Sequence, residues 1–228
     1  MRLPLILINF KAYEEATGEK ALKLANICKE VSERYKVTVG ICPQDVDIYR
    51  ISSKVRIPIF AQSIEPIEPD SHTGHELPLA AKEAGAIGSL INHSENRLKL
   101  PDIEKCVLIA KKLGLITVCC APGVRLAKEI ARFSPDFIAV EPPELIGTGI
   151  PVSKAKPEVV VNSVKAVHSV NKKIKVLCGA GISNGDDAKK ALELGTVGVL
   201  VASAVVKASS PKAVLVDLVK GVKACNAQ

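Results

Sequence analysis

The chain has no Trp and a single Met, and aromatic residues make up 3% of its 228 positions. A length that can bury a large core must therefore fill it with Val, Ile, Leu and Ala. The same scarcity removes the stacking surfaces on which proteins hold single-stranded nucleic acid. Like charges never cluster into a long block: 31 Lys and Arg against 24 Asp and Glu are spread along the chain. The net charge of +7 thus reads as a modest positive field that attracts anionic metabolites, with no nucleic-acid partner expected. No apolar run approaches the roughly 18 residues of a membrane span. The opening MRLPLILINFKAY is apolar only briefly and lacks the small-residue cleavage site of an export signal. It reads as a buried strand, and the cytoplasm is the expected location. None of the seven Cys falls in a C-x-x-C pair. Most lie in apolar contexts, the neighbours Cys119 and Cys120 among them, where a free thiol packs as a small hydrophobe. A disulfide framework and a zinc site are both disfavoured.

What is present alternates between two textures. Short apolar runs occur at Leu5–Phe10, Val37–Cys42, Ile57–Ala61, Ala86–Asn92, Leu115–Cys120, Asp136–Glu141, Ile174–Cys178 and Val197–Val201. Runs that are apolar on both faces suit parallel strands covered by helices. Between them the spacing is helical: Ala21, Leu24, Ala25 and Cys28 make one stripe, Ile103, Cys106, Val107 and Ala110 another, Leu215, Leu218, Val219 and Val222 a third. Helix starts are marked by Pro101-Asp102, Ser183-Asn184 and Pro211. Eight βα units of roughly 28 residues fill the chain, so the expected fold is a single α/β domain over residues 1–228, a closed (β/α)8 barrel. An open doubly wound sheet is the alternative, and the absence of G-x-G-x-x-G after the first strand counts against its nucleotide-binding version. Two connections, Ser63–Pro78 and Pro142–Ala155, are longer than the fold requires, as functional loops tend to be.

In such a barrel the active site lies at the C-terminal ends of the strands. There the sequence places Asn9 and Lys11, then Asn92-His93-Ser94-Glu95, then Glu141, then Gly179-Ala180-Gly181, and last Ala202-Ser203-Ala204. A carboxylate can take a proton next to a carbonyl, while a neutral imidazole and an ammonium stabilise the charge that develops on oxygen. Backbone N–H groups in the small-residue turns can hold phosphate. The set suits proton transfer on a phosphorylated carbonyl compound, with no metal or other cofactor required. Each residue alone has a plainer reading. His93 could be a structural histidine, Lys11 a solvated loop residue, Glu141 a salt-bridged strand end and Glu95 a helix cap. His72, His75 and Glu76 are read as an exposed loop group rather than metal ligands.

Four blocks taken together resemble triosephosphate isomerase in its short, archaeal-type form. They are Asn9-Phe10-Lys11, Asn92-His93-Ser94-Glu95, Glu141-Pro142-Pro143-Glu144-Leu145-Ile146-Gly147-Thr148-Gly149, and Cys178-Gly179-Ala180-Gly181. The resemblance spans nearly the whole chain and implies a TIM barrel acting on a triose phosphate. It implies Glu141 as base, His93 as neutral electrophile, and Lys11 with Asn9 as holders of substrate, a carboxylate and imidazole pairing of which this enzyme is itself the known example. It further implies Glu95 as a supporting acid near Lys11, and phosphate contacts from Ile146, Gly147, Gly181, Ala202 and Ser203. Pro142–Gly149 would be a lid. Thr73-Gly74 would reach a neighbouring subunit, which implies a homodimer at least and, from the archaeal-type likeness, a tetramer. The chain departs from the common pattern in three places. Glu144 stands where many members have Trp, Cys178-Gly179-Ala180-Gly181 replaces a Tyr-Gly-Gly-Ser turn, and Ala202-Ser203 replaces a pair of glycines. Other readings remain: a pentulose-phosphate epimerase would want metal-ligating His and Asp at strand ends, a Schiff-base aldolase a Lys near strand six, and a non-catalytic barrel would have no need of Lys11, His93 and Glu141 together.

Overall fold

The computed structural model describes residues 2–142 and 155–225. Strands and helices alternate along the chain: β1 Leu5–Asn9, α1 Glu19–Tyr35, β2 Thr38–Cys42, α2 Asp45–Ser52, β3 Phe60–Ala61, α3 Pro78–Glu83, β4 Gly88–Ile91, α4 Leu100–Leu113, β5 Ile116–Ala121 and α5 Val124–Ala131. There follow β6 Phe137–Val140, α6 Pro157–Val170, β7 Lys175–Cys178, α7 Gly185–Glu193, β8 Gly198–Val201, the short α8 Ser203–Val206, and α9 Pro211–Cys225. The eight strands run in the order β2-β1-β8-β7-β6-β5-β4-β3, each paired parallel to its neighbour. A parallel bridge between Ile41 and Ile59 joins the two ends, and the Ile41 N–H donates to the Pro58 carbonyl at 2.9 Å. The sheet thus closes as a barrel, and each expected strand is present. The third is shorter than its apolar run. Pro58 has no N–H to give the ladder, so regular pairing starts only at Phe60.

Alternation along the strands divides the core in two. Leu5, Leu7, Cys42, Phe60, Leu90, Val118, Phe137, Leu177 and Leu200 fill the barrel. Their neighbours Ile6, Ile8, Val39, Ile41, Ile138, Val140, Val176 and Val199 face outward and pack under the helices. The expected helical stripes are the buried ones: Ala21, Leu24, Ala25 and Cys28 on α1, Ile103, Cys106, Val107 and Ala110 on α4, Leu215, Leu218, Val219 and Val222 on α9. Asn184 caps α7, its side-chain oxygen accepting from the Asp187 N–H at 3.0 Å.

With so few aromatics, Phe60 is one of the largest side chains in the barrel, and glycine makes room for it. A Cβ on Gly88 would stand 2.6 Å from the Phe60 ring and 2.3 Å from the Ile116 carbonyl oxygen. Neither a packed ring nor a ladder carbonyl yields easily. Gly88→Ala is expected to cost about 2–4 kcal/mol, overpacking at the upper end of its usual range. A denaturant titration read by far-ultraviolet circular dichroism checks it; an unchanged midpoint would mean that the barrel interior relaxes more freely than its packing implies.

Candidate active site

The alternation that packs the barrel also places the polar residues. Asn9 and Lys11 continue the inward row of Leu5 and Leu7, Glu141 that of Phe137 and Ala139, and Gly179 that of Leu177. All lie at C-terminal strand ends, so they meet at one rim. There a pocket with about 590 Å³ of empty space opens to solvent, and Asn9, Lys11, His93, Glu141, Gly181 and Ser203 line it.

Lys11 is held in a conformation that few side chains adopt. Its φ is 48°, in the left-handed region. Its N–H donates to the Asn9 side-chain oxygen at 2.9 Å, and its carbonyl accepts from Gln62 Nε2 at 3.0 Å. The same Gln62 nitrogen donates to the Cys42 carbonyl at 3.0 Å, tying the turn after β1 to the end of β2. Three contacts thus hold a strained residue in place. The Lys11 ammonium reaches Glu95 Oε1 at 2.7 Å, the pairing expected of Glu95.

His93 follows a second left-handed residue, Asn92, at φ 63°. The Asn92 side chain donates to the Cys120 carbonyl at 2.9 Å and accepts from the Leu98 N–H at 2.9 Å, which pins the end of β4 to β5 and to its own loop. The Glu95 N–H donates to His93 Nδ1 at 3.2 Å. A ring nitrogen that accepts carries no hydrogen, so the neutral imidazole has its proton on Nε2. That nitrogen faces Glu141 Oε1 across 3.9 Å, too far for a direct hydrogen bond. Burial first, and then the Lys11 charge, pushes the imidazole down to about 4. At neutral pH His93 is therefore an uncharged N–H donor.

Glu141 is 3% exposed, and its backbone N–H donates to the Ala121 carbonyl at 2.8 Å. Burial pushes its carboxyl up to about 7, while the neighbouring Cys120 thiol and the Lys11 ammonium pull it back. Among the described residues its Oε2 has no hydrogen-bond partner. A carboxylate kept out of water with an unpaired oxygen is costly, and its proton affinity rises accordingly. Two titratable groups side by side are thus driven in opposite directions: the carboxyl becomes a stronger base and the imidazole stays neutral.

Turns make up the rest of the pocket. Gly181 takes φ 71°. Ser183 donates through both N–H and hydroxyl to Asp187 Oδ2, at 3.1 and 2.8 Å, and the Gly185 N–H donates to Asp217 Oδ2 at 2.7 Å. These bonds tie the turn after β7 to α7 and α9. Ala202 and Ser203, after β8, line the pocket beside it.

The structure therefore brings together Asn9, Lys11, His93, Glu141, Gly181, Ala202 and Ser203, with Glu95 against the lysine. Ile146 and Gly147 lie outside the described residues, as does the expected lid from residue 143 on. Tyr13, Ile182 and Ser183 also line the pocket without standing out in the sequence as site residues, while Ala204, read at the end of the eighth strand, lines it as expected. Ser183 was legible only as a helix start, and Tyr13 carries no motif. Cys120 does more than pack a strand, because it sits beside the carboxyl of Glu141. His75, in the exposed loop after β3, contacts Glu65 through Nδ1.

Known proteins give the same picture. The family model described as Triosephosphate isomerase matches residues 4–222. A triosephosphate isomerase of Methanobrevibacter smithii is 55% identical over 219 residues, which covers 96% of this chain and 99% of that protein. One from Methanothermus fervidus is likewise 55% identical over 219 residues, with the same coverage. One from Methanocaldococcus jannaschii is 53% identical over 216 residues, 95% of this chain and 99% of the other. With a closed eight-stranded parallel barrel, a raised carboxyl and a neutral imidazole at its rim, and likeness along nearly its full length, the chain belongs to the triosephosphate isomerase family.

Proposed function

We infer that the chain, as one barrel domain over residues 1–228, interconverts dihydroxyacetone phosphate and D-glyceraldehyde 3-phosphate in glycolysis and gluconeogenesis, with Glu141, His93 and Lys11 as its catalytic residues. The observation that carries the assignment of roles is the 3.9 Å gap between Glu141 Oε1 and the N–H side of His93, beside the Lys11 ammonium. A substrate carbonyl and its adjacent carbon, laid across the two groups from the pocket, are reached at once by a base and a donor set this close together. The Glu141 carboxylate takes the proton from C1 of the ketose, and the electron pair moves into an enediolate. His93 Nε2–H donates to the carbonyl oxygen as it becomes negative, and Lys11 stabilises the same charge. His93 then moves a proton between the two oxygens, and Glu141 returns its own to C2. Asn9 and Lys11 hold the substrate, and Gly181, Ala202 and Ser203, with Ile146 and Gly147, bind the phosphate through backbone groups. A coupled assay starting from glyceraldehyde 3-phosphate tests the activity; no turnover above that of a Glu141→Gln control would refute it.

The pH profile tests the roles. Glu141 must be ionised to accept a proton, so kcat/KM should climb with pH along a limb centred near its raised value of about 7. His93, neutral down to about 4, adds no second limb in that range. Stopped assays from pH 5.5 to 9 in one constant-ionic-strength buffer series, on the order of seven points, check this. A profile already flat from pH 5.5 upward, as a base at the ordinary glutamate value of 4.5 would give, would mean that the base is not the buried carboxyl.

The same reading makes the chain a cytoplasmic homo-oligomer, a tetramer with the dimer as the simpler alternative. Val46 and Tyr49 on α2 are 83% and 69% exposed, beside a groove that runs from Lys11 along Gln44, Asp45 and Glu95. Thr73 and Gly74 stand exposed in the loop after β3. Apolar side chains left in water next to an active-site lysine suit burial by a second copy. Among the described residues no helix is long and apolar enough to cross a membrane.

A further inference from the structure

The charge of the pocket leaves something to explain. Among its described lining residues the cation is Lys11 and the ionised acid is Glu141. Lys11 is already paired with Glu95 at 2.7 Å. A pocket whose lining charges cancel has to take up a phosphate dianion. Backbone N–H groups supply part of the compensation, and a second cation, the exposed Lys207, sits on a side chain that lines the pocket. Lys207 lies three residues beyond the pocket-lining Ala204, and its N–H donates to the Ser203 carbonyl at 2.9 Å. Its Nζ is 4.3 Å from the centroid of the Tyr13 ring, and Tyr13 itself lines the pocket. That distance is well within the ~6 Å over which a cation is attracted to an aromatic face. Among the described residues no carboxylate pairs with Lys207. The ring thus holds an otherwise mobile ammonium on a residue that lines the site, with no carboxylate paired to it among the described residues. It also joins the turn after β1, which carries the reactive Lys11, to the end of α8, the helix that begins at Ser203.

We propose that Lys207, seated on the ring of Tyr13, is an affinity-determining cation for the phosphate end of the substrate. The idea rests on the triose-phosphate reading above. Lys207 acts through its field and through the position of Tyr13, so it governs capture of the dianion and leaves the proton transfer itself alone. Removing one charge near a dianion in a partly solvated rim should raise KM for glyceraldehyde 3-phosphate roughly three- to tenfold, less so as salt is added. The inhibition constant of inorganic phosphate should rise by a similar factor.

The test compares Lys207→Gln, Lys207→Arg, Tyr13→Leu and Tyr13→Phe in the full-length chain. Lys207→Gln should raise KM and the phosphate inhibition constant together, with kcat held within about twofold, the signature of lost uniform binding. The rate with unphosphorylated glyceraldehyde should not change. Lys207→Arg and Tyr13→Phe, which keep the cation and the ring, should restore most of the affinity. Tyr13→Leu should act in the same direction as Lys207→Gln, and the double variant should be no weaker than Lys207→Gln alone, because the two residues work as one unit. If Lys207→Gln leaves both constants near those of the parent, or slows glyceraldehyde and glyceraldehyde 3-phosphate alike, Lys207 is not a phosphate determinant. Glu141→Gln run in parallel separates this from failure of the parent reading: a fully active Glu141→Gln, or phosphate that does not compete with substrate, overturns the site itself and the proposal with it.

Discussion

Glu141→Gln is expected to lose roughly a thousandfold or more in kcat, the scale of a missing general base, while KM and the inhibition constant of inorganic phosphate stay close to their original values. The amide is nearly isosteric with the carboxyl, so the packing around a side chain that is 3% exposed should survive. What disappears is the ability to accept a proton. The loss should be confined to kcat because the residues proposed to hold phosphate, Gly181, Ala202 and Ser203, would do so through backbone groups rather than through the charge of residue 141. Stability should hold or rise slightly, since the substitution removes a buried group whose charged form is disfavoured. Turnover and an unfolding midpoint measured on the same preparation check both halves. A variant that keeps most of its kcat would show that some other group takes the proton.

Gly179→Ala is expected to cost about a hundredfold in kcat without unfolding the barrel. A Cβ at this position would stand 2.6 Å from Glu141 Cγ and 2.9 Å from Oε1. Real Cβ atoms do not come so close, so one neighbour must move. The neighbour here is a side chain rather than backbone, so the carboxyl swings aside and the strand remains in place. A displacement of this order, on the order of 1 Å, is enough to spoil a near-attack geometry by that factor. Gly88→Ala provides the contrast, because there the added methyl meets a backbone carbonyl and a packed ring, and the cost falls on stability. If Gly179→Ala loses stability but keeps kcat, the carboxyl of Glu141 is not seated where the chemistry needs it.

Much of this site was legible from the chain alone, and for a physical reason. A two-residue period carries Phe137 and Ala139 into the barrel, so the next inward position, Glu141, has to stand at its rim. The same count places Asn9 and Lys11 after Leu5 and Leu7. The eight strands could be read because each is a short apolar run between amphipathic helices. Regular pairing in the third strand was over-extended because Pro58 lies within an apolar run without contributing a donor. The tautomer of His93 was not legible, since it depends on a backbone N–H two residues on that turns back because Asn92 is left-handed. Tyr13 and Lys207 could not be paired from sequence, because they are 194 residues apart and meet only when β1 and β8 lie side by side. Nor could Cys120 be told from its neighbour Cys119. Strand parity sends one thiol into the barrel beside Glu141 and the other outward under the helices.

A crystal structure of the chain with 2-phosphoglycolate bound, a phosphorylated carboxylate that mimics the enediolate, tests the central claim most directly. The account predicts the ligand carboxylate between His93 Nε2 and the Lys11 ammonium, the Glu141 carboxyl within about 3 Å of it, and the phosphate against Gly181, Ala202 and Ser203. A ligand bound at Lys11 and His93 but beyond the reach of Glu141, or seated in a different pocket, would contradict it.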